Sequence, residues 1–349
     1  MRKRAVFAVA ASGGCVSASN RRVHPMKRRA LLLAPTAWLL TRRASAQSGV
    51  RRLGMLNMGG VGAQQAKMSL YFRERLQQAG WELGRNLLVE ARYAEGDPAR
   101  AQALAEQLAA ANPDLLVGIG NDAVAALQRA TSRIPIVMGF GHEPVAAGFV
   151  RSLARPDTNI TGTVWAAAEI AGKTLQLLKQ AVPRARRVAV LWPAQQLGSE
   201  PYQREMRVAA GQLDITLLPH ALSRPEDVPA ALERIAAQAS DALYVAPDGA
   251  TEMRASEIAA FALRQRLPTL GVSPSLVLAG GLLYYGADVR EVLARTVSFV
   301  DRILRGAGAA TLPVEQPSRF TLTVNARTAR AIGLALPAEL LARADEVIE

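Results

Sequence analysis

Cysteine is almost missing from this 349-residue chain: Cys15 is the single one. That excludes a disulfide framework and a cysteine-ligated metal cluster. Histidine is nearly as scarce, with His24, His142 and His220. His142-Glu143 begins like a zinc-helix motif, but position 146 is alanine, so no H-E-x-x-H exists. There is no G-x-S-x-G elbow and no Walker loop, and two histidines beyond the leader do not assemble a nucleophile–histidine–acid set. No metal, no cofactor and no catalytic residue is therefore expected. Aromatic residues make up only 5% of the chain. The abundance of alanine and leucine favours helices over an all-β fold.

Acidic residues are absent from the first 46 positions, which hold ten Lys and Arg. Removing that stretch leaves 32 basic and 29 acidic residues, so the overall +13 falls to +3. A basic nucleic-acid surface is excluded on this ground, and the remaining charges read as a mixed solvated surface. The leader has its own pattern. Met26-Lys27-Arg28-Arg29 is a positive start, residues 30–40 are apolar, and Ala44-Ser45-Ala46 is an A-x-A cleavage site. This reads as a secretory signal peptide cleaved after Ala46, with Met26 as a candidate true start. Eleven apolar residues are too few to span a hydrocarbon core of about 30 Å as a helix. A periplasmic location and a mature chain that does not span the membrane are expected.

From Arg52 onward, strand-like and helix-like segments alternate. Strands are expected at 52–57, 87–93, 114–117 and 134–138, with helices at 66–79, 98–111 and 123–130 between them. Asp97-Pro98 is an N-cap followed by proline at the first helical position, and Gly80 sits where a helix ends. A second series places helices at 167–181, 201–213, 225–238, 251–266 and 289–304. It places strands at 187–192, 215–218, 242–245, 268–270 and 282–285. Such alternation implies parallel sheets with helices on both faces. Two runs of about four units imply two Rossmann-like α/β lobes. The β-rich join at 159–164 and the extended 312–324 segment suit strands that cross between them. The expected lobes are 51–163 plus 276–310 and 164–275 plus 311–349.

Ligands of open α/β sheets bind beyond the carboxyl ends of the strands. The turns there are Asn57-Met58-Gly59-Gly60, Gly118-Ile119-Gly120-Asn121-Asp122, Gly139-Phe140-Gly141-His142-Glu143, Trp192-Pro193-Ala194 and Ala246-Pro247-Asp248-Gly249. Gly118 to Ala123 matches G-x-G-x-x-A, with Glu143 further on. It sits on the third strand, however, and Asp122 would repel a pyrophosphate, so the dinucleotide reading is set aside. Asp248 has two readings: a helix N-cap, or a carboxylate that holds a ligand ammonium. Trp165, Trp192, Tyr284 and Tyr285 are candidate apolar walls.

Several segments resemble one family. They are Tyr93-Ala94-Glu95-Gly96-Asp97, Ala130 to Val137, Glu143 to Val150, Ser152 to Pro156, Asn159 to Gly162, Lys173 to Lys179, Leu312 to Pro317 and Asn325 to Ala329. In collinear order from Arg51 to Glu349, the chain resembles the tryptophan-binding-protein-like substrate-binding proteins of ABC transporters. The resemblance implies a type I periplasmic-binding fold, two lobes joined by a multi-crossover hinge that closes on ligand. It also implies a monomeric receptor that hands a small molecule, such as an amino acid, to an ABC permease. By position it places Asn57 to Gly60, Asn121 to Ala123, His142, Glu143, Thr163 and Asp248 along the cleft. The family often has Thr-Pro or Ser-Pro where this chain has Asn121-Asp122, and Asp where it has Glu143. Both departures bear on the ligand. Two alternatives stay open: a ligand-sensing module for a membrane signalling protein, and an NAD(P)-linked enzyme.

Overall fold

The computed structural model describes residues 49–60, 63–165, 167–194 and 198–349. The expected signal peptide, its cleavage site and Cys15 lie outside the described residues. The first half runs β1 (Arg51–Asn57), α1 (Ala63–Gln78), β2 (Leu87–Tyr93), α2 (Pro98–Ala110), β3 (Leu115–Ile119), α3 (Asn121–Ala130), β4 (Ile136–Gly141) and β5 (Ile160–Val164). Next come α4 (Ala167–Ala181), β6 (Arg187–Pro193), α5 (Ser199–Gln212), β7 (Thr216–Leu222), α6 (Val228–Ala237), β8 (Ala242–Val245), α7 (Gly249–Met253) and α8 (Ala255–Arg264). The chain ends with β9 (Thr269–Gly271), α9 (Pro274–Leu278), β10 (Leu283–Ala287), α10 (Val289–Leu304), β11 (Phe320–Asn325), α11 (Ala326–Ile332), α12 (Ala338–Ala342) and β12 (Glu346–Ile348).

Two sheets form, as the alternating pattern requires. The first is wholly parallel, in the order β2-β1-β3-β4-β5. The second has the order β12-β11-β10-β9-β8-β6-β7 and is parallel except where β10 meets β11. A parallel sheet must be covered on both faces. In the first lobe, Leu56, Leu116, Ile136 and Met138 face the buried stripes of α2 and α3. The alternate residues Leu53, Leu115, Val117 and Val137 pack against Phe72 and Leu76 of α1 and against Val297, Phe299 and Val300 of α10. In the second lobe, Val188, Val190 and Tyr244 meet α4 and α5, while Ala189, Leu191 and Leu243 meet α6 and α8.

The chain passes between the sheets three times: after β5, after β10 and before β11. The expected lobe boundaries need two corrections. Residues 276–287 were expected in the first lobe, yet β10 is paired to β9 and β11 in the second sheet. Residues 312–315 were expected in the second lobe, yet Val314 N–H donates to Leu153 and Glu315 N–H to Gly162, both in the first. The reason for both is α10. Its apolar face is needed on the first sheet, so the crossings lie at its two ends rather than at the edges of the sequence blocks. The helix expected at 251–266 is broken into α7 and α8 at Arg254, and α9, α11, α12 and β12 add to the expected elements.

Local signals behave as their chemistry dictates. Asp97 accepts from Ala99 and Arg100 N–H at the start of α2. Gly162 is a harder constraint. Its φ is +138°, and a β-carbon there would lie 2.1 Å from the Met138 carbonyl oxygen, beside the irregularity where β4 meets β5. Gly162→Ala is expected to destabilise the fold by about 2 to 3 kcal/mol. A drop in the urea midpoint without a change in slope checks this.

Candidate functional site

The carboxyl ends of the strands in both lobes face a shared cleft of about 640 Å³. The first lobe contributes Asn57, Met58, Gly59 and Gly60 after β1, and Gly120, Asn121 and Asp122 after β3. Phe140 and His142 come from the end of β4. The second lobe contributes Pro247, Asp248 and Gly249 after β8, and Ser273 and Ser275 after β9. The lobes touch at the rim of the cleft. A β-carbon on Gly96 would lie 2.6 Å from Pro225 Cγ, and one on Gly249 would lie 3.4 Å from Gly96 Cα. Glycine is required at 96, where φ is +77° and the opposing lobe arrives against the backbone.

Hydrogen bonds hold the first-lobe turns rigid. The Asn121 side chain donates through Nδ2 to the His142 carbonyl at 2.8 Å and accepts the His142 N–H at 2.7 Å. That reciprocal pair ties the start of α3 to the end of β4. Asn57 Oδ1 accepts the Gly59 N–H at 2.7 Å, folding the loop after β1 back on itself. Across the cleft, Asp248 caps α7 by accepting the Ala250 N–H at 3.0 Å. The cap reading of Asp248 is therefore correct, and the residue lines the cleft as well.

The electrostatics are one-sided. Burial pushes the Asp248 carboxyl up to about 6, with Asp122 and Glu252 adding to the rise. Asp122 and Glu252 are themselves raised by burial. Ser275 Oγ donates to Glu252. Burial lowers His142 to about 4, so its ring is neutral at pH 7 and adds no positive charge. Phe140 and Trp165 form an aromatic wall, their centroids 5.1 Å apart.

Nine of the fourteen residues expected at the site line this cleft: Asn57, Met58, Gly59, Gly60, Gly120, Asn121, Asp122, His142 and Asp248. Five do not. Ala123 is fully buried in the first lobe beneath the start of α3. Glu143 follows His142 at a φ of +44° and packs against Gly198 instead. Thr163 is buried 3.2 Å from the Thr296 hydroxyl, under α10. Trp192 lines a separate cavity of about 20 Å³ with His142 and Tyr202. Tyr285 stacks on Phe320 across the β10–β11 pair. In each case a neighbouring element takes the side chain before the cleft can. Sequence reasoning missed Lys67, Glu252, Met253, Ser273 and Ser275. Ser273-Pro274 was a readable signal: Ser273 caps α9 with proline at its first position.

The sequence profile described as "ABC transporter substrate binding protein" matches residues 65–348. The chain belongs to that family. Among curated proteins it is similar to a tyrosine-binding protein of Clostridioides difficile, 24% identical over 263 residues, which is 75% of either chain. A conserved domain protein from Vibrio cholerae superposes with a TM-score of 0.79 at 26% identity. A Streptococcus pneumonia ABC domain in complex with L-Trp gives 0.78 at 22%. Both superpositions cover 85% of this chain and 99% of the other. The architecture is the two-lobed type I periplasmic-binding fold expected from the sequence. Members of this family are the substrate-binding components of ABC transporters. No described helix is long and apolar enough to cross a membrane.

The raised carboxyl of Asp248 makes a pH prediction. Its folded value of about 6 lies above the ordinary 3.8, so the native state holds the proton more tightly. Its contribution to stability is then lost as pH rises between those values. Asp248→Asn keeps an oxygen for the cap and removes the charge. The Tm of ligand-free variant minus wild type should increase from pH 4 to pH 7. A difference that stays flat in scanning calorimetry contradicts the buried carboxylate.

Proposed function

We propose that this chain is an exported solute receptor that closes its two lobes on an amino acid or a close chemical relative and delivers it to an ABC permease. The cleft carries this reading. Its walls come from two lobes, its polar groups sit on strand ends and helix starts, and an aromatic pair shares the cleft with Asp248. Phe140 and Trp165 would take a ring, and Asp248 an ammonium through a charge-assisted hydrogen bond. The relatives named for tyrosine binding and for an L-Trp complex support an aromatic ligand of this size. The leader supports export to the periplasm, with Met26-Lys27-Arg28-Arg29 and Ala44-Ser45-Ala46 as its features. Closure around the ligand is a hinge motion at the three crossings.

A thermal-shift screen of amino acids, amines and small organic acids tests the receptor reading. A ligand at about 100 times its Kd stabilises the native state by about 2.7 kcal/mol. A panel in which nothing raises Tm, together with unchanged uptake in a strain lacking the gene, rejects it.

Closure can be tested away from the ligand. Gly96→Ala places a methyl group against Pro225 of the opposing lobe and should weaken binding about tenfold. Adding Pro225→Ala should recover the affinity but not the stability lost to strain at a φ of +77°. Calorimetric titration of the single and double variants reads both.

A further inference from the structure

Two methionines meet two glycines across the cleft. Met253 is the last residue of α7 in the second lobe and lies over Gly60 of the first: a β-carbon on Gly60 would stand 2.6 Å from the Met253 sulfur and 2.9 Å from its Cε. A second contact runs the opposite way. Gly249 is the first residue of α7, and a β-carbon there would stand 3.6 Å from Met58 Cβ in the first lobe. Both methionines line the cleft. A thioether side chain is flexible and polarisable, and bare backbone lets it come close, so the contacts hold by dispersion. They span two lobes and persist only while the lobes are together.

The second lobe fixes where Met253 stands. Helix α7 has only five residues, but side chains tie it down along its length. Asp248 caps its start, the Thr251 hydroxyl donates to the Ala246 carbonyl at 3.0 Å, and the Glu252 carboxylate accepts from Ser275 Oγ. The helix then breaks at Arg254, so Met253 sits at its open end against the first lobe.

Exposure separates Met253 from the other methionines. It is 39% exposed, and among the described residues it is the one exposed methionine. Met58 is 6% exposed, and Met138 and Met206 are fully buried. An exposed thioether is open to a peroxide. One oxygen atom passes to the sulfur: an S–O bond forms, the O–O bond breaks, the sulfur loses two electrons, and the peroxide leaves as water or an alcohol. The product is a polar sulfoxide. The close approach to Gly60 leaves no room for that oxygen, and an acceptor pressed on a backbone methylene has no donor, so both effects favour separated lobes.

We propose that Met253 is an oxidation site that sets whether the cleft can close: as the thioether it seals the second lobe onto Gly60, and as the sulfoxide it holds the lobes apart. Met58 is the shielded half of the same seam and keeps its thioether. Ligand and oxidant then oppose each other, because a closed cleft covers the sulfur and an oxidised sulfur resists closure. The effect on affinity rests on the receptor reading above; the separation of the lobes does not.

Hydrogen peroxide is the probe, applied to the folded wild-type protein, to Met253→Leu and to Met253→Gln. Peptide mapping should find Met253 oxidised at least about tenfold faster than Met58. Small-angle scattering should show a larger radius of gyration after oxidation, reversed by methionine sulfoxide reductase. Met253→Leu keeps an apolar seal without the sulfur, so peroxide should leave its radius unchanged. Met253→Gln carries a polar amide and should be expanded before any peroxide is added. Titration with L-tyrosine and L-tryptophan then reads affinity. Whichever binds the reduced wild type should bind its oxidised form about tenfold more weakly, and Met253→Leu equally before and after treatment. Equal oxidation of Met58 and Met253 overturns the proposal, as does an oxidised wild type that keeps its radius. A Met253→Leu protein that expands in peroxide places the effect on another residue and overturns it too. Binding by neither amino acid counts against the ligand assigned above, while the scattering still decides the seal.

Discussion

A five-stranded parallel sheet cannot leave a face to water, and this requirement organises the protein. Three helices, α1 to α3, lie between the strands of the first lobe. Two of them cover one face and only α1 the other. The remaining half of that face is covered by α10, which comes from more than a hundred residues downstream. Val297, Phe299, Val300 and Ile303 fill the gap, and the Trp81 indole donates to Asp301 to anchor the helix end. Because α10 must leave the second lobe and the chain must return to it, three strands of backbone link the lobes. That is a hinge, and the cleft is what the hinge leaves between two sets of strand ends.

The same geometry lines the cleft from both lobes. Each lobe supplies turns that are rigid on their own account, through the Asn121–His142 pair in one and the Asp248 cap in the other. Glycines at 96 and 249 let the backbones of the two lobes meet.

Much of this was readable from local pattern. The strand read at 87–93 coincides with β2 to the residue, and Asp97-Pro98 marked the start of α2. The glycine-bearing turns after the strands pointed to nine residues of the cleft, because parallel α/β sheets always place their strand ends together. Short elements were less readable. Strand β12 has three residues and is defined only by its pairing with β11, and α9 has five. The break between α7 and α8 is marked by no helix-breaking residue.

The sequence by itself determined the class of fold and the family. Alternation of strand and helix, the absence of catalytic motifs and the collinear segments from Arg51 onward are all properties of order along the chain. Tertiary structure decided which side chains of a promising turn reach the ligand space. Thr163 and Ala123 are adjacent to cleft residues in sequence or on a strand, yet neighbouring elements bury them. Glu252 and Asp122, far apart in the chain, face one cleft. The reason is that strand and helix periodicity tells only which side of an element is buried. Which other element lies there, and whether a gap remains, is set by how α10 and the three crossings bring the lobes together.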